Sequence, residues 1–407
     1  MPNFSIALTG LQADTVALNT IGNNLANLNT TAFKSQTTSF ENLFYQNIGS
    51  SGSSDPLQIG TGTRVEGTTS NFAQGSTTTT QNATDMEIEG NGFFVVNKGT
   101  TQSLTRAGNF QLDTQGDLIT ANGESVMGYG TTNGVVNTSG SLTALQIPIS
   151  ATQPAQPTGN ISMTTTLDST SAVGATFSSP VTVYDSLGAS HVAAVTYTKQ
   201  SATQWGYAVT LPAGDAGTAV NNTGTITFNS AGVMTSPTTN PVVGFQGLSD
   251  GASDLAINLN LLSATGTPEV SQTAAASTTA TSSQDGYASG QYQSFAVNNT
   301  GVLTATFSNG NTETVGQVAV ATVANVNGLQ NTGGNDYVAT AASGLISVGQ
   351  AGVGGRGAIQ GDALEASNVD ISSEFSNLII AQRAFEANSK TVTTFSSVSE
   401  TSINMIR

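Results

Sequence analysis

The chain has 407 residues, enough for two to four domains, and its hydrophobic content of 37% with 45 glycines is ordinary for a folded protein. Charged residues are the outlier, at 8% against a usual ~25%, and the formal net charge is −16. The basic residues are scattered singly (Lys34, Arg64, Lys98, Arg106, Lys199, Arg356, Arg383, Lys390, Arg407), no run approaches ~18 apolar residues, and there is no cysteine. These features exclude nucleic-acid partners, docking on anionic membranes, membrane insertion, disulfides and thiolate chemistry.

The first element expected is a helix. From Phe4 to Leu28, Phe4, Leu11, Leu18 and Leu25 recur every seven residues, with Ala7, Ile21 and Leu28 in a companion seam. No charged n-region precedes it, the first basic residue being Lys34, so no cleaved secretory signal is expected. After a connecting segment over 41–81, the period changes to two. Met86–Glu89, Phe93–Val96, Phe110–Leu112 and Asp117–Thr120 alternate between turns rich in Gly, Asn and Asp, the pattern of hairpins.

Pro154 and Pro157 mark a linker. Beyond it Pro180–Tyr184, His191–Thr198, Thr225–Phe228 and Phe245 read as strands of a second β unit, and the polar stretch Ser271–Ser283 reads as a second linker. Hairpins return over Phe295–Phe307 and Val318–Val326. The last element is again a helix: Ile371, Leu378, Phe385 and Val392 lie seven apart, Ile406 returns to register after a gap at Ser399, and Phe375, Ile379 and Ile403 widen the stripe. Ser367 and Asp370 ahead of it have capping-box spacing.

The economical fold is mainly β with long helical termini. Residues 1–40 and 362–407 form a terminal coiled-coil-like helix pair, 82–150 and 285–361 an inner β domain, and 151–284 an outer β domain inserted into it. Heptad helices of this length cannot bury their stripes alone. Leu11, Leu18, Ile21, Leu25, Leu28, Ile371, Phe375, Leu378, Phe385 and Val392 are therefore the candidate polymerisation interface, through a repeating contact that does not close.

Enzymatic constellations are weak. His191 is the sole histidine, and with Asp185 and Ser186 it would sit on one hairpin with the three groups facing apart, so no triad and no metal site is expected. Glu87 and Glu89 read as neighbouring carboxylates on an exposed strand face, and the Gly352–Gly357 run as a loop or hinge without a phosphate-binding lysine. Trp205 reads as a core aromatic. No catalytic, cofactor or metal site follows.

Gly22-Asn-Asn-Leu-Ala-Asn27 with Thr31-Ala-Phe-Lys34 resembles the N-terminal signature of the bacterial flagellar rod and hook family. Ala363–Asp370, Glu374-Phe375 and Ala381-Gln-Arg-Ala-Phe385 with Asn388 resemble its C-terminal signature. Gly90–Phe94, Arg106–Phe110 and Gly128-Tyr129 are similar to the β domain of its longer members, and Asp185–Gly188 with His191, Gly316-Gln-Val and Leu329 to its hook subunits. Two positions depart from the pattern: Ala32 stands where the family has glycine, which speaks against a left-handed backbone there, and Ser399 and Ser402 stand in a usually leucine-rich end.

The resemblance implies a non-enzymatic structural subunit of a curved, flexible hook tube, a universal joint passing torque from rod to filament. It also implies homopolymerisation, contacts with rod, hook cap and hook–filament junction proteins, and passage through the flagellar type III export apparatus to an extracellular position on the basal body. The alternatives are a straight distal rod subunit, which the inserted middle domain disfavours, and a secreted β-rich adhesin.

Overall fold

The computed structural model describes residues 3–50, 56–99 and 101–405; Ile406 and the side chain of Phe4 lie outside the described residues. The protein is mainly β, with one helix at each end, α1 (Asn3–Ala26) and α2 (Ile371–Met405). None of the described helices is long and apolar enough to cross a membrane. Two compact units form, one from Met1–Ile149, Phe295–Ala305 and Glu313–Arg407, the other from Ser150–Ser294 and Thr306–Thr312.

In the first unit Phe93–Lys98 is the central strand. It pairs antiparallel with Thr101–Thr105, Ser125–Thr132 and Thr312–Thr322. Phe93, Phe94, Val95 and Val96 are all buried, so both faces of this strand are covered. One face carries Phe93, Leu104, Tyr129, Ala319 and Tyr337, with Phe72, Phe93 and Tyr337 rings 5.4–5.9 Å apart. On the other, Phe94 meets Phe110 edge to face at 5.0 Å. Gly108 lets the backbones touch there: a Cβ on it would lie 1.6 Å from the Met86 carbonyl oxygen.

Two hairpins, Gln36–Asn42 with Thr63–Ser70 and Gln46–Ser50 with Pro56–Ile59, fill the end of the 1–40 span expected to be helical and much of the 41–81 segment expected only to connect. Their Gln, Thr and Ser residues conceal them, because one face packs on α1 through hydroxyls: Thr20 and Thr38 Oγ1 atoms are 2.9 Å apart. Helix α1 stops at Ala26, so Leu28 lies in the turn that follows and not in a helical seam. At 1.5 Å per residue α1 is about 36 Å long and α2 about 52 Å. The cap of α2 is Asp370, whose Oδ1 accepts from Ser373 N at 2.8 Å, and not Ser367 as the capping-box spacing suggested. That backbone hydrogen bond holds the Asp370 carboxyl below the ordinary range.

The second unit is a sandwich of two sheets. Thr176–Tyr184, Ser190–Lys199, Gln204–Thr210, Thr223–Phe228 and Met234–Ser236 follow one another in the first sheet. Ala216–Val220, Val242–Leu248, Leu255–Asn260, Asn160–Asp168 and Val270–Thr273 follow in the second. Alternate residues point between them to a core of Trp205, Tyr197, Phe245, Ile226 and Leu167. Trp205 is a core aromatic, 1% exposed.

The Ser271–Ser283 stretch is not a linker. Val270–Thr273 pairs parallel and Thr278–Gln284 antiparallel with Asn160–Asp168. Threonine suits an edge strand, and cross-strand hydroxyls (Thr281 to Thr164, 3.0 Å) replace the apolar contacts that would have marked it. The proline segment is likewise paired, through Gln156 and Tyr287.

Glu124 and Asp336 are buried side by side, and burial first, then the other carboxyl, raises the pKa of Glu124; burial raises that of Asp336. Acids with a raised folded pKa bind excess protons when folded, so stability falls as pH rises from the ordinary carboxylate value through the raised ones and stays lower above them. Glu124→Gln should therefore raise the melting temperature at neutral pH and leave it nearly unchanged at about pH 3. Thermal melts at the two pH values check this; a lower melt at neutral pH would mean that the charged pair is favourable.

Ala32, 1% exposed, is left-handed at φ 55° despite its Cβ, and its N–H donates to Glu365 O at 2.8 Å. Ala32→Gly should be neutral within ~1 kcal/mol, since relief of ~1–2 kcal/mol of strain is offset by a lost buried methyl and added chain entropy. Ala32→Val should cost ~2 kcal/mol or more, because β-branched residues tolerate positive φ least. Urea unfolding of both variants reads the contrast, and equal stabilities would refute it.

Candidate polymerisation interface

The two ends of the chain meet in a buried ionic knot. Lys34 Nζ lies 2.6 Å from Glu365 Oε1 and donates to Ala73 O at 2.9 Å. Arg106 Nη1 reaches Glu365 Oε2 at 3.3 Å and Ile88 O at 2.9 Å, and its Nη2 donates to Gly90 O. Gly75 N donates to Glu365 Oε1 at 2.8 Å. All three charged residues are at most 5% exposed. Burial lowers the Lys34 pKa more than Glu365 raises it.

Asn368 adds a second clasp: its Nδ2 donates to Asn71 O and Ala73 O, and its Oδ1 accepts from Ser35 N, all within 2.9 Å. In the sequence these residues stand only within the terminal and β-domain motifs; isolated charges in a chain that is only 8% charged are the signal of a buried ionic role.

From this root α1 and α2 run antiparallel. Asn24 Nδ2 donates to Glu374 Oε1 at 3.0 Å near the root, and Asn388 Nδ2 to Asp14 Oδ2 at 2.8 Å farther out. Small residues bring the axes together: Ala381 is buried, and a Cβ on Gly10 would lie 2.8 Å from Asn388 Nδ2. A groove of about 370 Å³ between the helices and the strand Gln36–Asn42 is lined by Asp14, Ala17, Ile21, Phe40, Ile380 and Ala381. The middle of the seam is therefore small and polar, with Leu11, Leu18, Leu25, Leu378 and Val392 half-buried beside it and Ile371 and Phe375 left exposed.

The heptad stripes lie to one side. At 3.6 residues per turn, Ile371 falls roughly 100° from the Ala381–Asn388 contact line. A seven-residue repeat loses about 20° per heptad, so Leu378, Phe385 and Val392 drift toward that line. Exposure follows the drift: Ile371 is 46% exposed, Phe385 38%, and Val392 half-buried. Phe375 at 52% and Ile379 at 58% complete an unpartnered apolar face, with Leu378 half-buried at its edge.

On α1, Leu11, Leu18 and Leu25 are half-buried and flank the contact line, while Ile21 faces the groove. Leu28, half-buried in the turn, lies off the helix and lines a hollow with Thr78 and Leu364. Serine and threonine hydroxyls on α2 are consumed by their own helix, Thr391, Ser397 and Thr401 each donating to the carbonyl four residues back.

Two side-chain expectations are corrected. Glu87 is not on an exposed face: it is 1% exposed, accepts from Gln74 Nε2 and Thr77 Oγ1, and lies near Lys34 and Arg106, while Glu89 is exposed. Asp185 and His191 do not face apart, because the Gly188 turn (φ 88°) folds the hairpin back on itself. His191 Nε2 lies 2.9 Å from Asp185 Oδ2 and its Nδ1 3.0 Å from Asp215 Oδ2. Burial opposes the imidazolium, but hydrogen bonds to the two aspartates outweigh it and raise its pKa. The Asp185 carboxyl, despite burial, is lowered to about 2 by hydrogen bonds from its neighbours. Ser186 Oγ is turned away and accepts from Ser253 N, so no nucleophile joins the pair. The Gly352–Gly357 run is a turn in which Arg356 binds backbone carbonyls, as a loop reading expects.

Family models match in chain order. Residues 4–34 match a flagella basal body rod protein, 87–164 a flagellar hook protein FlgE/F/G D1 domain, 150–287 a flagellar basal body protein FlaE D2 domain, and 360–405 a flagellar basal body rod FlgEFG protein C-terminal region. A flagellar hook protein FlgE of Salmonella typhimurium is 33% identical, over 99% of this chain and 100% of its own. That of Treponema pallidum is 31% identical over 98% of each chain. The crystal structure of Helicobacter pylori flagellar hook protein FlgE2 shares the fold at a TM-score of 0.56 and 16% identity, covering 71% of this chain and 100% of that one. A helix pair held at an ionic knot with its apolar face unpartnered, on a chain related to hook proteins from end to end, leads to one conclusion: this chain belongs to the flagellar hook protein family.

Proposed function

We propose that the chain is the structural subunit of a bacterial flagellar hook, polymerising into a curved, flexible tube that passes torque from rod to filament. The observation that carries this reading is the apolar face of Ile371, Phe375, Ile379 and Phe385, left uncovered by α1 although the two helices run side by side. A helix hairpin with one unpartnered stripe gains by packing on the next copy, and because the contact is heterologous it repeats without closing. Relatedness over the whole chain is to hook proteins, which favours the hook over the distal rod.

In this reading Leu11, Leu18, Ile21, Leu25, Phe375, Leu378, Phe385 and Val392 lie in or beside the inner layer of the tube, and Leu28 acts through the turn. The second unit, rich in Thr, Ser and Asn, forms outer contacts that exchange as the tube bends, since each hydrogen bond is worth only ~0.5–1.5 kcal/mol and water can replace it. Rod, cap and junction proteins would meet the same helical ends. Export through the type III apparatus, to an extracellular position, would require the ends to order only on assembly.

Deleting residues 1–26 and 371–407 spares the Lys34–Glu365–Arg106 knot. The remaining chain should fold and never polymerise; electron microscopy showing tubes from it would overturn the reading. Phe375→Ala in the full chain removes a contact worth ~1.5–3 kcal/mol on burial, so the critical concentration for assembly should rise ~10- to 100-fold. Because Phe375 is half-exposed in the single chain, the monomer's melting temperature should barely change. Sedimentation and calorimetry read the two effects, and the opposite pattern would place Phe375 in the core.

A further inference from the structure

We propose that the second unit binds one divalent transition-metal ion, of the zinc type, through Asp185, His191 and Asp250. One ligand atom from each of the three lies within 4.8 Å of the others. Ligand atoms around one tetrahedral zinc stand about 3.3 Å apart, so small side-chain adjustments, of the exposed Asp250 above all, would bring the set to that spacing.

The remaining groups prepare the site. Asp215 Oδ2, 3.0 Å from Nδ1, accepts that N–H, so an ion would take the place of the Nε2 proton that His191 shares with Asp185, in the carboxylate–histidine arrangement that orients metal-binding imidazoles. Asp185 Oδ1 is held by Leu187 N and Ala189 N at 2.8 and 2.9 Å, which leaves Oδ2 aimed at the same point. Asp250 Oδ1 accepts from Ala252 N at 3.0 Å, and the same carboxyl lies within hydrogen-bond reach of Asp185. Ser253 N to Ser186 Oγ, 2.9 Å, and Ser249 N to Asp215 O, 3.0 Å, tie the three segments together.

Charge points the same way. Three carboxylates surround one imidazole, and Lys199, the only Lys or Arg of residues 150–294, is engaged elsewhere, with Ser169 O and the Trp205 ring. Asp185 and His191 flank the turn into one sheet, whereas Asp215 and Asp250 border strands of the other. A bound ion would pin the two sheets at one end of the sandwich. Mixed nitrogen and carboxylate ligation favours zinc over calcium or magnesium.

The test uses the full chain, stripped with chelator and titrated with Zn²⁺ alone in a calorimeter, with thermal melting in parallel. One Zn²⁺ should bind per chain and raise a melting transition. Asp250→Asn, an exposed change that leaves the core intact, should weaken binding tenfold or more; His191→Gln should abolish it, and Asp215→Asn should weaken it ~10- to 100-fold. Circular dichroism confirms that each variant folds. Zinc binding that is absent, or that Asp250→Asn leaves unchanged, overturns the proposal, as does calcium binding where zinc does not.

Discussion

Everything at the helical end of this molecule depends on burying two cations around one carboxylate. Glu365 receives Lys34, Arg106 and the Gly75 amide at once, in a place that is almost water-free. Such a site is not a large net source of stability, because desolvating three charges offsets most of their attraction. Its strength lies in what it forbids. Removing one partner leaves an uncompensated buried charge at a cost of ~3–5 kcal/mol, so the segment between α1 and Gln36, the loop at Arg106 and the approach to α2 must arrive together. The helices therefore leave the β body from one root.

That root explains how a helix pair can be both defined and incomplete. Close approach of α1 and α2 uses Gly10, Ala381 and side-chain amides, which bury little apolar surface but fix register. Several large apolar side chains, Ile371, Phe375 and Ile379 among them, are thereby left exposed. A polymer subunit benefits from this division, since a pair that consumed its own stripes would have nothing to offer the next copy. In the other unit the clustered aspartates and His191 play the register-setting part between two sheets, in a region otherwise built from hydroxyls.

Much was legible in the chain itself. A switch of hydrophobic period from seven to two separates helical ends from β middle, and turn residues mark the hairpins after Met86, because those patterns follow from local geometry. Less legible were the strands at 36–70 and 270–284, where Thr, Ser and Gln supply pairing without an apolar alternation. The capping residue of α2 was misplaced by three positions for a similar reason: Ser367 and Asp370 are both competent caps, and only the path of the chain into the helix selects Asp370.

The sequence by itself determined the class of fold, the two long helices, the near absence of charge and the apolar stripes that a single chain cannot cover. Tertiary structure alone decided which residues those stripes leave exposed, since that depends on the angle at which α1 meets α2 and not on spacing. It also decided that Glu87 is buried, that Ala32 is left-handed, and that Asp185 and His191 converge with Asp215 and Asp250. Beyond the Asp185–His191 hairpin contact, these depend on atoms brought together from 24 to over 300 residues away in the chain. Local periodicity carries no information across such distances; packing and the pairing of buried charge do.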